Sequence, residues 1–291
     1  MKKATYVLLT VLLTASLISW NWNKSQHSTV KKADVIECLN METQQAYQKE
    51  ASTSAFAAMH PNPITVNPEN LLGKMIPFEA ADGKNANAYF IAAKKKTNKF
   101  LIVIQEWWGL NDNVKMESDK YYTDLGDVNV IAVDMYDGKV AATPDSAMKL
   151  MRGADMVRMT AIIQGAIKYA GSNASIYSVG WCFGGMWSLQ TAILAGPQAK
   201  GTVMYYGRPE TNMDKIKSIQ CDVIGFFGNL DQSPSPAMVN SFETSMKEAG
   251  KNLSVNRYEA GHGFANPSNP SFNAAATKDA YTKAIAFLKA H

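Results

Sequence analysis

The chain has few of the residues that disulfide scaffolds, metal centres and nucleic-acid binders require. It contains three cysteines and four histidines among 291 residues, and its formal net charge is only +4. Three cysteines are too few for a disulfide framework. The scattered lysines form no basic stripe interleaved with aromatic residues, so we expect no nucleic-acid partner. No cluster of histidine, cysteine and carboxylate residues has the spacing of metal ligands, so we expect no metal and no cofactor.

Apolar residues, by contrast, are abundant. They make up 46% of the chain, which is enough for a full hydrophobic core and too much for a disordered protein. A chain of 291 residues is long enough for one sizeable globular domain with an appendage.

The first 21 residues are typical of an export signal. Lys2 and Lys3 precede an apolar stretch over residues 4–20, and secretory signals share this positive start and apolar run. The run is short for a membrane span, and an uncleaved anchor is the alternative. We therefore expect an exported protein, periplasmic or associated with the envelope, that meets a membrane only through this segment if the segment is retained.

Residues 22–71 form a polar segment that contains three prolines. This composition predicts a linker or a loosely packed arm, with one short helix over residues 42–58. Export would permit a disulfide between Cys38 and Cys221, the pairing that leaves Cys182 free. Two unpaired structural thiols are the alternative that we favour.

Residues 72–291 alternate strand-like and helix-like segments. A hairpin of residues 74–79 and 87–93 is predicted across the Asp82-Gly83 turn. Further buried strands are predicted at residues 100–105, 128–133, 175–179, 201–206, 223–227 and 254–258, and helices at 145–170, 235–249 and 274–290. This alternation predicts an α/β fold with a mainly parallel central sheet and helices on both faces. In such sheets the functional groups collect after the carboxyl ends of the strands.

The strongest motif is Gly-Trp-Cys-Phe-Gly at residues 180–184. It follows a buried-type strand and precedes a helix-like segment, which is the pattern of a nucleophile elbow with cysteine in the serine position. Side chains at Gly180 and Gly184 would clash in so tight a turn. Cys182 would stand at a helix N-terminus, where N–H groups favour a thiolate and bind an oxyanion. The alternative is a buried cysteine beside a glycine-rich helix start.

A nucleophilic thiol needs a base, and four histidines can be considered one by one. His27 and His60 lie in the polar arm, and His291 is the last residue. His262 remains, between two glycines just past the final predicted strand. It is therefore the candidate base.

Asp231 is the candidate acid that orients the imidazole. It follows the strand at residues 223–227, whereas Asp222 precedes that strand and belongs at the opposite edge of the sheet, together with Cys221. The chain order of nucleophile, acid and base matches that of α/β-hydrolases.

Glu106 follows a predicted strand and precedes two tryptophans. A carboxylate in aromatic surroundings is costly unless it has a partner. One interpretation is a glutamate satisfied by backbone amides or by a loop arginine. The functional interpretation places Glu106 against Cys182 or the triad, with the backbone N–H groups of Phe183 and Trp107 as oxyanion donors.

These motifs resemble those of the dienelactone hydrolase family, also called carboxymethylenebutenolidases. The resemblance rests on residues 105–110, 133–136, 180–185, 205–207 and 261–264 and on the Asp231 loop, and it spans residues 72–291. It implies an α/β-hydrolase fold, a triad of Cys182, Asp231 and His262, and a Glu106 that keeps the resting thiol neutral and helps to deprotonate it when substrate enters. The implied reaction is attack on an ester or lactone carbonyl, followed by hydrolysis of an acyl-thioester.

Two positions depart from the family pattern. Members that act on dienelactone carry arginines that bind the substrate carboxylate, one just after the Tyr136 position and one four residues beyond the histidine. Lys139 lies near the first position and Asn266 takes the second, and neither offers a two-pronged guanidinium. We therefore expect a small ester or lactone other than dienelactone. The residues expected to contact it are Trp108, Tyr136, Lys139, Tyr206 and Phe264.

Two other functions are alternatives to hydrolysis. A non-catalytic envelope protein could use the same fold as a binding surface, and Cys182 could have a redox role. The intact triad residues argue against the first function. The second lacks a resolving cysteine at nearby spacing.

Overall fold

A computed structural model of the protein describes residues 41–64 and 68–291. The predicted export signal and Cys38 lie outside the described residues. Within those residues, no helix is both long enough and apolar enough to cross a membrane.

The described residues form a central sheet of eight strands. The strands are β1 (Lys74–Glu79), β2 (Asn85–Ile91), β3 (Lys99–Ile104), β4 (Asn129–Val133), β5 (Ser175–Trp181), β6 (Ala199–Tyr205), β7 (Asp222–Gly228) and β8 (Leu253–Tyr258). Their order across the sheet is β1-β2-β4-β3-β5-β6-β7-β8. The β1–β2 hairpin and the β2–β4 pair are antiparallel, and every later pair is parallel. The predicted α/β sheet is confirmed, with small shifts in the strand bounds.

Helices cover the sheet. They are α1 (Met41–Glu50), α2 (Ser54–Ala58), α3 (Asp112–Leu125), α4 (Pro144–Arg152), α5 (Met156–Ala170), α6 (Phe183–Ala195), α7 (Met213–Ser218), α8 (Pro236–Glu248) and α9 (Ala274–Ala290). The crossover from β3 to β4 runs in the opposite direction to the crossover from β4 to β5. Because both crossovers are expected to be right-handed, α3 and α5 lie on opposite faces. Helix α9 packs beside α3, and α6 packs beside α5.

The helix predicted over residues 145–170 is in fact two helices, α4 and α5. Gly153 follows the end of α4, and the Asp155 side chain accepts hydrogen bonds from the backbone N–H groups of Val157 and Arg158. An aspartate that caps a helix in this way favours a new helix start over continuation. The prediction of a single helix was therefore wrong at this point.

The described part of the arm is packed on the domain of residues 72–291. Helices α1 and α2 replace the single short helix expected there, and Thr53 caps α2. Arg208 Nη1 lies 2.6 Å from Glu50 Oε2, and Arg152 Nη2 donates to the Ser52 carbonyl oxygen over 2.7 Å. These contacts join arm and domain residues that are far apart in the chain. Composition alone therefore suggested looser packing than the structure has.

Gly165 lets α5 approach the end of β1 closely. A β-carbon at this position would lie 2.6 Å from both the Glu79 carbonyl oxygen and the Ala80 α-carbon. Because these are backbone atoms, Gly165→Ala should lower the free energy of unfolding by about 2 kcal/mol, as overpacked sites do. Urea denaturation measures this loss. Gly153→Ala is the matched control, since its nearest neighbour would be 3.3 Å away; equal stability of the two variants would contradict the packing account.

Candidate active site

Cys182 lies in the tight turn that joins β5 to α6. Its φ is 55° and its ψ is −116°, a backbone conformation that residues with a side chain seldom adopt. A β-carbon at Gly180 would lie 2.1 Å from the Gly184 carbonyl oxygen, and one at Gly184 would lie 2.3 Å from the Ile104 carbonyl oxygen. The clash predicted from the glycine spacing is thus confirmed. The turn presents the sulfur at the carboxyl edge of the sheet.

The structure brings Cys182, His262 and Asp231 together at this edge. Cys182 Sγ lies 3.2 Å from His262 Nε2, and His262 Nδ1 lies 2.8 Å from Asp231 Oδ2. The other carboxylate oxygen of Asp231 accepts a hydrogen bond from the Ser233 backbone N–H over 2.8 Å. All three members are buried. The carboxylate is therefore fixed, and it fixes the imidazole in turn.

The charge state of His262 follows from its two partners. Burial alone would lower the pKa of His262, but the neighbouring Cys182 and Asp231 outweigh burial and hold it well above its ordinary value. An imidazolium in hydrogen-bond contact with a sulfur favours the thiolate, which is the nucleophilic form.

Glu106 lies just past the end of β3, at the edge of this site. Its carboxylate accepts a hydrogen bond from Asn266 Nδ2 over 2.8 Å. Burial raises the pKa of Glu106 to about 7, although the charge of His262 and the Asn266 hydrogen bond lower it in part. Asn266 stands at one of the two positions where the family resemblance led us to look for an arginine. Because an amide carries no charge, Asn266 lowers the pKa of Glu106 less than an arginine would, and this pKa stays high.

The two expected oxyanion donors come from adjoining segments. Phe183 is the first residue of α6, and the first N–H groups of a helix have no partner within the helix. Trp107 is fully buried just after Glu106. The close contact of Gly184 with the backbone of Ile104 and Gln105 brings the helix start against the segment that carries Trp107.

Two of the residues expected to contact substrate lie beside the imidazole. The Tyr206 ring centroid is 5.1 Å from that of His262, edge to face, and Phe264 packs on Tyr206 at 5.3 Å. Both side chains are buried. They form an aromatic wall on one side of the site.

The other three expected substrate contacts differ in position. Tyr136 is buried, and its ring centroid lies 5.7 Å from that of Phe183. Trp108 lines a small cavity together with Glu106. Lys139 is exposed in the loop after Tyr136, as the hydration of an ammonium group favours.

The arm places two further groups against the sulfur. Tyr47 Oη lies 3.3 Å from Cys182 Sγ, and His60 Nε2 lies 3.5 Å from it. His60 was excluded as a site residue because it lies in the polar arm, and that inference was wrong. Helices α1 and α2 bury their few aromatic residues at the site, and no local pattern in the polar segment signals this long-range contact.

Burial determines the protonation of both arm groups. Burial and the charge of His262 lower the pKa of His60 to about 3, so its imidazole is neutral. His60 Nδ1 donates to the Phe56 carbonyl oxygen over 2.7 Å, which leaves the Nε2 lone pair facing the sulfur. Burial, and then Cys182, raise the pKa of Tyr47 well above its usual range. The Tyr47 hydroxyl therefore keeps its proton and can donate to the sulfur.

The arm leaves little space at the site. The cavity lined by His60, Glu106, Trp108 and His262 has a volume of about 10 Å³, which is room for about one water molecule. The cavity is too small for an ester, and Cys182 is not among the residues that line it.

The same cluster has the composition of a metal site. The ligating atoms of His60, Cys182 and His262 all lie within 4.8 Å of one another. The spacing of residues in the sequence did not indicate this set, because its members are separated by long stretches of chain.

A cysteine elbow, an imidazole and a carboxylate at the carboxyl edge of a mainly parallel sheet define an enzyme of the α/β-hydrolase type. Comparison with known proteins gives the family. The model of the dienelactone hydrolase family matches residues 86–291, so the chain belongs to that family. The match ends at the last residue and leaves the arm outside it.

Several known proteins are similar to this chain. Protein usf of Aquifex pyrophilus is 27% identical over 231 residues, which cover 75% of this chain and 98% of that protein. Carboxymethylenebutenolidase 1 of Cupriavidus pinatubonensis is 25% identical and covers 75% of this chain and 97% of its own length. Among solved structures, a dienelactone hydrolase-like promiscuous phosphotriesterase from metagenomic libraries has a TM-score of 0.64 at 21% identity, over 75% of this chain and 98% of that chain.

Glu106 should make stability depend on pH. A carboxyl whose pKa is raised on folding stabilises the folded state fully below its unfolded pKa, and this contribution is lost as pH rises through the folded pKa of about 7. Glu106→Gln removes the titration. The melting temperature of the variant, relative to the wild type, should therefore rise between pH 5 and pH 8. Glu79→Gln controls for the removal of an exposed carboxylate, and a Glu106→Gln difference that stays constant with pH would contradict the assignment.

Proposed function

We propose that this hydrolase cleaves small esters or lactones through a covalent acyl-thioester on Cys182. The observation that carries the proposal is the unbroken chain of contacts from Cys182 Sγ through the His262 imidazole to the Asp231 carboxylate. That chain supplies a nucleophile, a general base and a group that fixes the base.

In the first half of the proposed reaction, Cys182 sulfur attacks the substrate carbonyl carbon as a thiolate, with the proton held on His262. The carbonyl π electrons move to oxygen, and the oxyanion is stabilised by the N–H groups of Phe183 and Trp107. Collapse of this intermediate breaks the bond to the alkoxy oxygen. His262 gives its proton to the departing alcohol and leaves an acyl-thioester.

In the second half, water hydrolyses the thioester. His262, now neutral, takes a proton from the water as it attacks the acyl carbon. The new tetrahedral intermediate expels the Cys182 thiolate and releases the carboxylic acid. A lactone follows the same course, except that acid and alcohol leave as one molecule.

Glu106 adds a proton-sensitive charge next to this machinery. Its pKa of about 7 means that it ionises in the neutral range. The ionised carboxylate favours the imidazolium form of His262 and with it the thiolate. We therefore propose that Glu106 promotes formation of the nucleophile on the alkaline side of its pKa.

Turnover requires the arm to move. The Tyr47 hydroxyl and the His60 imidazole both lie against the sulfur, where the substrate carbonyl must go. Displacement of α1 and α2 would open the aromatic wall of Tyr206 and Phe264 to a substrate. We also propose export to the cell envelope, which rests on the first 21 residues alone.

Replacement of the nucleophile tests this proposal. Cys182→Ala should lower kcat/KM for nitrophenyl acetate by a factor of about 10³ or more, because the covalent route is lost. Cys221→Ala is the matched control. Cys221 lies at the opposite edge of the sheet, and burial raises the pKa of its thiol to about 12, so its loss should leave turnover unchanged.

Two results would contradict the proposal. The first is Cys182→Ala with the activity of the wild type. The second is a wild type as inactive as Cys182→Ala on a panel of esters and lactones, which would favour the non-catalytic binding role instead.

A further inference from the structure

We propose that the arm and the catalytic domain together form a zinc site, with Cys182, His262 and His60 as its three protein ligands. Zinc bound there would tie the arm over the nucleophile and block it. Binding of the metal does not require that the chain hydrolyse esters, so the two proposals can fail separately.

The distances between the ligand atoms suit tetrahedral zinc. Cys182 Sγ is 3.2 Å from His262 Nε2 and 3.5 Å from His60 Nε2. With Zn–S near 2.3 Å and Zn–N near 2.0–2.1 Å, a tetrahedral site separates sulfur from nitrogen by about 3.5 Å. All three ligand atoms lie within 4.8 Å of one another. The two sulfur–nitrogen distances therefore match a tetrahedral site. A tetrahedral zinc ion would also hold the two Nε2 atoms about 3.3 Å apart, so binding would draw the two imidazoles together wherever they now lie farther apart.

Both imidazoles are oriented as zinc ligands usually are. Histidines that bind metals donate their second ring N–H to a carboxylate or a backbone carbonyl, which fixes the tautomer. His262 Nδ1 contacts the Asp231 carboxylate at 2.8 Å, and His60 Nδ1 contacts the Phe56 carbonyl oxygen at 2.7 Å. Each ring therefore turns Nε2 towards the same sulfur. Catalysis needs this arrangement at His262 only, so the matching orientation of His60 is the independent observation.

Charge and burial also favour zinc. The three ligand residues are buried, and a thiolate with two imidazoles is a donor set that selects zinc over hard cations such as magnesium or calcium. The thiolate and the Asp231 carboxylate balance the two positive charges of the ion. Binding forms one Zn–S bond and two Zn–N bonds and releases to solvent the one proton that Cys182 and His262 share. No electron is transferred.

The fourth zinc position can be filled without a fourth side chain. The cavity beside His60 and His262 has room for about one water molecule. Three protein ligands and one water are a common zinc coordination. Cys182 does not line this cavity, so the proposed water would approach the zinc ion from the side of His60 and His262.

A zinc ion at this site would join two separate parts of the chain. The family match covers residues 86–291, whereas His60 belongs to the arm. Glu50 and Ser52 of the arm already contact Arg208 and Arg152 of the domain. Zinc would add a bond between the two parts at the nucleophile itself. Removal of the ion would free both the thiol and the arm.

Cobalt(II) reports on this site because a cobalt–thiolate bond absorbs in the near ultraviolet. The full chain should bind one cobalt ion with this absorption, and zinc should displace it. Cys182→Ala should abolish the absorption. His60→Gln and His262→Gln should each weaken binding by about 100-fold or more, since each loses one ligand. His291→Gln is the matched control, because His291 lies at the exposed C-terminal end and contacts Asp222.

A second measurement tests the closure of the arm. Zinc should slow proteolytic cleavage between α1 and β1 in the wild type and should have no such effect in His60→Gln. Wild-type cobalt affinity in His60→Gln would overturn the proposal, because the thiol and His262 would then bind metal without the arm. Cobalt binding without thiolate absorption would overturn it as well. Since the His262 and Cys182 variants test the same site from the domain side, the outcome does not rest on the folding of one arm variant.

Discussion

The structure of the site depends on one backbone contact, the approach of Gly180 to Gly184 across the turn that carries Cys182. Without side chains at these two positions the turn can close, and closure forces Cys182 to a positive φ. The strain is held by a buried strand on one side and a buried helix on the other. The sulfur is therefore fixed at the edge of the sheet where the loops after β7 and β8 deliver Asp231 and His262.

Electrostatic interactions give the buried groups around that sulfur different protonation states. Cys182 and Asp231 raise the pKa of His262, while burial and the His262 charge lower the pKa of His60. Two imidazoles at similar distances from one sulfur atom thus differ in charge. The charged imidazole can act as an acid and, once it has given up its proton, as a base, whereas the neutral one offers a lone pair. This difference supports the proposed hydrolysis, whereas zinc binding would require His262 to lose its proton.

The sheet and the elbow could be predicted because both produce local patterns in the sequence. Buried strands appear as short apolar runs, and the elbow appears as glycines at fixed spacing around Cys182. The contacts of Tyr47 and His60 could not be predicted, since they join the arm to residues more than a hundred positions away. The break between α4 and α5 was not predicted for a different reason. One capping aspartate, Asp155, outweighed a helical pattern that runs across it.

The central claim is that Cys182 carries the acyl group during turnover, and rapid-quench mass spectrometry tests it most directly. Mixing with nitrophenyl acetate, quenching in acid and mapping the peptides should show one acetyl group on Cys182 that disappears as turnover ends. The label should depend on His262, because the imidazole accepts the thiol proton. A productive reaction with no label on Cys182, or with the label on another residue that turns over at the same rate, would contradict the account.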